Sequence, residues 1–321
     1  MSDRRGFALL AALWLLVAIS VASLALQTAP RSRRLAAANL AEAVQARAAA
    51  DAGIEQTRAR LVRRLTTATP GDPWAGVDPV PSDPEQSEGA RGISLLRDTL
   101  AIDRGRVFVS TRDAGARLNL NRATEEELRR LFVALRIDAG VADQLAQSIL
   151  DWRDEDDLHR ARGAERDAYL EDGAVQLPRN GPFQSLVELA AVQGMTPTTY
   201  ERVRPYLTLV GSGQVNVNVA DRPVLLALPG MTEDAVAVLF RYRRRHKSLA
   251  NLTDLERDLP PAARSTLAAH LPELLGKATT ETRELEVTSV GWVEGSPVRV
   301  RITGLFVQAR GAVFYVWSQV E

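Results

Sequence analysis

The chain has 321 residues, 40 Lys+Arg against 40 Asp+Glu, and no cysteine. That length allows two or three domains, and the balanced charge provides no global field to mark a nucleic-acid or membrane-surface binder. The lack of cysteine excludes disulfide staples, thiol catalysis and zinc–thiolate sites.

The first element opens with Arg4, Arg5 and Gly6, then runs apolar from Phe7 to Leu26 with only Ser20 and Ser23 interrupting. Twenty helical residues rise roughly 30 Å, the thickness of a bilayer's hydrocarbon core. A cleaved secretory signal would have a shorter core and a small-x-small site, whereas Leu24-Ala25-Leu26-Gln27 makes a poor one. Arg4-Arg5-Gly6-Phe7 also matches a twin-arginine core, but Leu9-Leu10 and Leu13-Trp14-Leu15-Leu16 are more hydrophobic than such signals carry. A third reading cuts between Gly6 and Phe7 and keeps the helix. That order resembles the class III signal of type IV pilins and pseudopilins. Arg31, Arg33 and Arg34 oppose Arg4 and Arg5, so charge does not fix the orientation.

Pro30 allows a kink or restart, and the text after it is rich in Ala, Leu, Glu and Arg, strong helix formers. Leu40, Ala43, Val44, Ala50, Ile54, Leu61 and Leu65 fall at helical spacings and predict an amphipathic stripe on an arm ending near residue 66. Residues 66–92 are dense in Pro, Gly, Asp and Ser and read as a long loop. Two strands follow, "SLLRDTLAI" and "RVFVSTRD", joined by a turn at Asp103-Arg104-Gly105. The chain ends in three more, "RELEVTSVGWV", "VRVRITGLFV" and "AVFYVWSQV". In the second of these Val298, Val300 and Ile302 alternate with Arg299, Arg301 and Thr303, the period of a half-buried strand. Neither group is stable alone, so one antiparallel sheet packed on the helical arm is expected, with everything between as an insertion.

The insertion contains a repeat. Asn119, Asn121, Ala123, Leu128 and Leu131 in "LNLNRATEEELRRL" match Asn216, Asn218, Ala220, Leu225 and Leu228 in "VNVNVADRPVLLAL" at a constant offset. Thr124 and Asp221 fall at expected N-caps, and Pro223 sits early in the second helix. Two related helical bundles follow from this pattern.

Together these features resemble the K-type minor pseudopilins of type II secretion systems (general secretion pathway protein K, GspK-like). The implied fold is α+β: a pilin-like N-terminal transmembrane helix packed on an antiparallel sheet, with a large all-α insertion of two SAM-like or helix-hairpin-helix-like bundles. The division is a prepilin-type leader at 1–6, a transmembrane helix at 7–29, a periplasmic arm at 30–66, the loop and first strands at 67–117, bundles at 118–213 and 214–276, and the final strands at 277–321. The resemblance implies processing between Gly6 and Phe7 by a prepilin peptidase, and an inner-membrane anchor with the body in the periplasm. It also implies a subunit that initiates and caps the pseudopilus tip beside pseudopilins of the I and J types, with the secreted substrate or the outer-membrane secretin as further contacts. Most pilin-like subunits carry Glu at the fifth mature position; here it is Ala11. A lone carboxylate in the bilayer is costly, so its absence suits a subunit with no predecessor.

Two constellations remain. "LPGMTED" and "VQGMTP" are similar to helix-hairpin-helix turns, and with Arg241, Arg243, Arg244, Arg245 and Lys247 they raise the alternative of a membrane-anchored DNA-binding module for DNA uptake. Glu233 and Asp234 directly after one turn would repel phosphate, which favours a protein-binding role. "DWRDEDDLHRARGAERDAYLED" concentrates carboxylates without an EF-hand pattern. Asp154, Asp156, Asp157, Glu165 and Asp167 are the candidate calcium ligands, the resemblance supporting metal in such a loop. The other reading is a solvated loop paired with Arg153, Arg160, Arg162 and Arg166. His159, His246 and His270 form no metal pattern and no nucleophile elbow occurs, so no enzyme is expected.

Overall fold

The computed structural model describes residues 3–67, 94–102, 105–245, 248–309 and 312–320. The loop expected after residue 67 lies outside them, as do the side chains of Gly6, Phe7 and Ala11. In chain order, helix α1 (Asp3–Thr67) leads to strands β1 (Ser94–Ile102) and β2 (Gly105–Asp113). The first copy of the repeat follows: β3 (Leu118–Asn119), α2 (Glu125–Ala134), α3 (Ala139–Arg153), α4 (Arg166–Glu171), α5 (Pro197–Val203) and β4 (Leu207–Thr208). The second copy comprises β5 (Val215–Asn216), α6 (Arg222–Ala227), α7 (Glu233–Arg244), α8 (Pro261–Lys277) and β6 (Ala278–Thr279). Strands β7 (Glu284–Val293), β8 (Arg299–Ala309) and β9 (Ala312–Val320) close the chain.

The five long strands form one antiparallel sheet in the order β1-β2-β7-β8-β9, so the two early strands join the last three around the insertion as expected. Alternate residues of β2 and β7, among them Val107, Val109, Leu285 and Val287, face α1 and are buried. α1 continues through Pro30 without a break. Among the described residues no helix is long and apolar enough to cross a membrane; the predicted span 7–29 includes side chains outside the described ones.

The stripe predicted on α1 holds at Ala50, Ile54 and Leu61 and is corrected at Leu40 and Val44. Leu40 and Val44 are 68% and 62% exposed, while the buried face carries Ala46, Ala49, Ala50, Ile54 and Leu61. Small residues prevail because the helix backbone lies almost on the sheet. A Cβ at Gly291 would collide with the carbonyl oxygen of Ala46 and stand 2.6 Å from the amide nitrogen of Ala50. Ser289 Oγ donates to the Ala50 carbonyl at 2.8 Å, and Thr57 Oγ1 to that of Gly53 at 2.8 Å. Hydrophobic periodicity misses such a seam, since alanine and glycine carry little apolar signal.

Both copies of the insertion contribute to one core. Leu128 and Phe132 of α2 and Leu145, Ile149 and Trp152 of α3 belong with Leu225 of α6, Leu239 of α7 and Leu267 of α8 to a single buried cluster. Each such side chain contributes roughly 1.5–3 kcal/mol on burial. Thr124 caps α2 in a reciprocal capping box with Glu127. Asp221 holds the N-cap position of α6 but makes no capping bond through its side chain.

Candidate metal centre

The paired openings are two versions of one clasp. In each, the first asparagine accepts from the amide two residues on: Asn121 to Asn119 and Asn218 to Asn216, both 3.0 Å. The second asparagine grips a distant backbone from both sides. Asn121 Nδ2 donates to Phe183 O at 2.9 Å while its Oδ1 accepts from Phe183 N at 2.8 Å. Asn218 does the same to Leu249 at 2.9 and 2.8 Å. Each opening then adds a short parallel bridge, β3 with β4 and β5 with β6. An amide suits the second position because its Nδ2 donor and Oδ1 acceptor lie side by side and match the C=O and N–H of one backbone residue.

An arginine braces each opening. Arg153, at the end of α3, donates to the carbonyls of Leu120 and Ala123; Arg243, in the last turn of α7, donates to those of Val217 and Ala220 at 2.8 and 2.7 Å. Burial pulls the Arg243 guanidinium down to about 10. This corrects two readings. Arg243 faces backbone carbonyls rather than a DNA- or protein-binding surface, and the loop's ion pairs come from Arg160 rather than from Arg153. Sequence reasoning missed both braces; their equivalent place late in the second helix of each copy was the available signal.

The acidic loop is organised by Asp151, which is fully buried. It accepts from Arg160 N at 3.1 Å and forms an ion pair with the Arg160 guanidinium, which also reaches Asp154 at 2.7 Å. The loop is thereby folded back so that Asp154, Asp156 and Glu165 each place a carboxylate oxygen within 4.8 Å of the other two. Asp157 instead accepts from Asn180 Nδ2 at 2.8 Å, and Asp167 is exposed on the first turn of α4. Of the five predicted ligands the fold unites three. Asn180, in left-handed conformation at φ 50°, also donates to Asp156 O at 3.2 Å; it holds this loop and was not foreseen.

Glu165 is 5% exposed, yet neither carboxylate oxygen has a partner, nor does Oδ1 of Asp154. Burial, then the charges of Asp151, Asp154, Asp157 and Asp156, push the Glu165 carboxyl up to about 7. Buried carboxylates without donors are costly unless a proton or a cation compensates them. An all-oxygen set in a folded-back loop fits a hard cation, which takes several oxygen ligands and fills the remainder from backbone and water. Behind the loop Trp152 stacks on Phe183 at 5.9 Å and meets Tyr169 edge-on at 5.5 Å, which ties the site to the first clasp.

The hairpin turns also differ between copies. Asp138 and Thr232 cap the second helix of each pair, and the residue two before the cap is left-handed in both: Arg136 at φ 60° and Gly230 at φ 69°.

Residues 109–212 match the family model for type II secretion system protein K. Type II secretion system protein K of Klebsiella pneumoniae is 30% identical over 161 residues, 45% of this chain and 49% of that one. Its counterpart in Dickeya chrysanthemi is 31% identical over 105 residues, 31% of this chain and 28% of that one. The chain thus spans about half the length of the first of these curated relatives and less of the second. In fold, it is similar to a chain of the crystal structure of the GspK–GspI–GspJ complex from the type 2 secretion system of enterotoxigenic Escherichia coli. That match has a TM-score of 0.68 at 20% identity and covers 90% of this chain and 99% of that one. The stretch that holds the first clasp and the acidic loop is thus the part of the chain that is similar to type II secretion system protein K.

Proposed function

We propose that this chain is a minor pseudopilin of a type II secretion system, which starts and caps the periplasmic pseudopilus beside pseudopilins of the I and J types. The observation that carries the reading is the division of labour along α1. Its later part is held against the sheet at Ala46–Leu61, whereas Leu13, Trp14, Leu15, Leu16 and Val17 stand exposed on its early part. Such a surface is stable only among lipids or like helices. In this reading 7–29 is the transmembrane helix of a pilin-like subunit, and the two SAM-like bundles form the summit. The similarity to a chain crystallised with GspI and GspJ supports those partners. Mass spectrometry of the mature protein is expected to find Phe7, methylated, at the N-terminus; a mature start near Gln27 would remove the helix and the proposal with it.

We also propose that Asp154, Asp156 and Glu165 hold calcium. Bound there, the ion would neutralise the convergent carboxylates and brace the loop, with Arg160 and Asn180 keeping it folded. Calcium at a hundred times its Kd is expected to stabilise the protein by about 2.7 kcal/mol. Glu165→Gln should melt higher than the unaltered chain in chelator, because a buried uncompensated charge is gone, and should lose the gain from calcium. Asp167→Asn should keep that gain. Equal calcium stabilisation of Glu165→Gln in a melting series would refute the ligand set.

A further inference from the structure

A cleft of about 450 Å³ lies between α2 and α6, on the side of the insertion where both hairpin turns meet. Arg129, Arg130, Arg136 and Arg222 line it, over an apolar floor that includes Val133 and Leu226. Its cations outnumber their partners. Arg129 and Arg130 share Glu126 at 2.7 and 2.8 Å, with Asp143 only at 4.0 Å from Arg129, and Arg222 pairs with Glu233. Arg136 pairs with no carboxylate among the described residues and is exposed.

Arg136 also occupies a conformation that disfavours a side chain. At φ 60° its Cβ crowds the following carbonyl oxygen, which glycine avoids. At the matching position the second copy has Gly230, where a Cβ would stand 2.9 Å from His270 and 3.4 Å from Leu267 of α8. The second turn is thus covered by a helix. Beside the first, Val133 and Val141 remain 43% and 38% exposed. The fold tolerates an unfavourable arginine where glycine would serve, and presents it, unpaired, at the rim of a cationic cleft.

We propose that the α2–α6 cleft is a docking site for an acidic segment of a partner protein, with carboxylates seated among its arginines and an apolar side chain against Val133 and Leu226. Glu233 and Asp234, which open α7 at this edge, and Glu126 inside the arginine cluster, would repel the continuous charge of a duplex. Separate carboxylates on a peptide can sit between them. The inference does not depend on the pseudopilin reading.

The test is a fluorescence-anisotropy titration of the full chain in detergent micelles, with a fluorescein-labelled oligo-glutamate peptide at low salt. Binding is expected to weaken at least about tenfold in Arg136→Glu, as for a charge reversed at an electrostatic interface. Arg136→Gly separates docking from folding: it should melt at a higher temperature, because the strain is relieved, yet bind the peptide more weakly. No binding, equal binding by the Arg136→Glu chain, or tighter binding of a labelled DNA duplex than of the peptide each overturns the proposal.

Discussion

Gly291→Val is expected to detach α1 from the sheet. The new side chain would enter the backbone of α1 itself, at the Ala46 carbonyl and the Ala50 amide. A side chain in the way can change rotamer, but a helix backbone can only be pushed out. Overpacking a core typically costs 1–3 kcal/mol; here the obstacle is rigid and the helix carries Ala49, Ala50, Ile54 and Leu61 with it, so roughly 3 kcal/mol or more is expected. Hydrogen exchange should quicken at residues 46–61, and the Ser289–Ala50 bond should be lost. Gly276→Ala is the control, since a Cβ there meets nothing within 4 Å. If Gly291→Val melts with the unaltered protein, the close approach described above is wrong.

Asp113→Ala should cost a similar amount by a different route. This carboxylate lies where the chain leaves the sheet for the insertion. It accepts from Gly115 N at 2.8 Å, from Asn216 Nδ2 of the second clasp at 2.7 Å, and from Thr282 Oγ1, where the chain returns, at 2.6 Å. Its loss leaves three donors facing a void, two of them in buried bonds, for roughly 3 kcal/mol or more. The same group predicts a pH dependence. Burial outweighs the three hydrogen bonds and raises the Asp113 carboxyl from 3.8 to about 6. The folded state therefore holds its proton more tightly than the unfolded chain, so this contribution is full below pH 3.8 and is lost as pH rises to about 6. A shift of this size corresponds to roughly 3 kcal/mol. Denaturant titrations of the unaltered chain and Asp113→Asn should show the difference between them moving toward the variant by about that much from pH 4 to pH 7. A constant difference would mean that Asp113 is ionised without cost.

The parts of this fold that were legible in the sequence are those with a strong local code. Alternation in β8 placed a one-sided sheet strand, and the matched asparagines placed two related openings because each residue of the clasp is chemically specific. The face of α1 was read correctly at Ala50, Ile54 and Leu61 and misread at Leu40 and Val44, because Ala46, Ala49 and Gly53 on the contact side carry less apolar signal than those two. Of the five metal candidates the fold brings Asp154, Asp156 and Glu165 together and leaves Asp157 and Asp167 apart. Which carboxylates converge is decided by the buried Asp151–Arg160 pair and by Asn180, contacts that turn the loop in three dimensions and leave no spacing rule behind. Arg153 and Arg243 looked like surface charge for the same reason: their role lies in carbonyls distant along the chain.

The two braced clasps also differ in the span of chain they enclose. In the first the backbone runs from Arg153 to Phe183 before it is gripped; in the second it runs only from Arg243 to Leu249. The carboxylate cluster lies wholly in that longer span. A duplicated scaffold of this kind has one half at liberty to accept new text, because its twin secures the shared interior. The acidic loop thus sits where the first copy departs from the second, and the shorter span shows that a clasp closes without it.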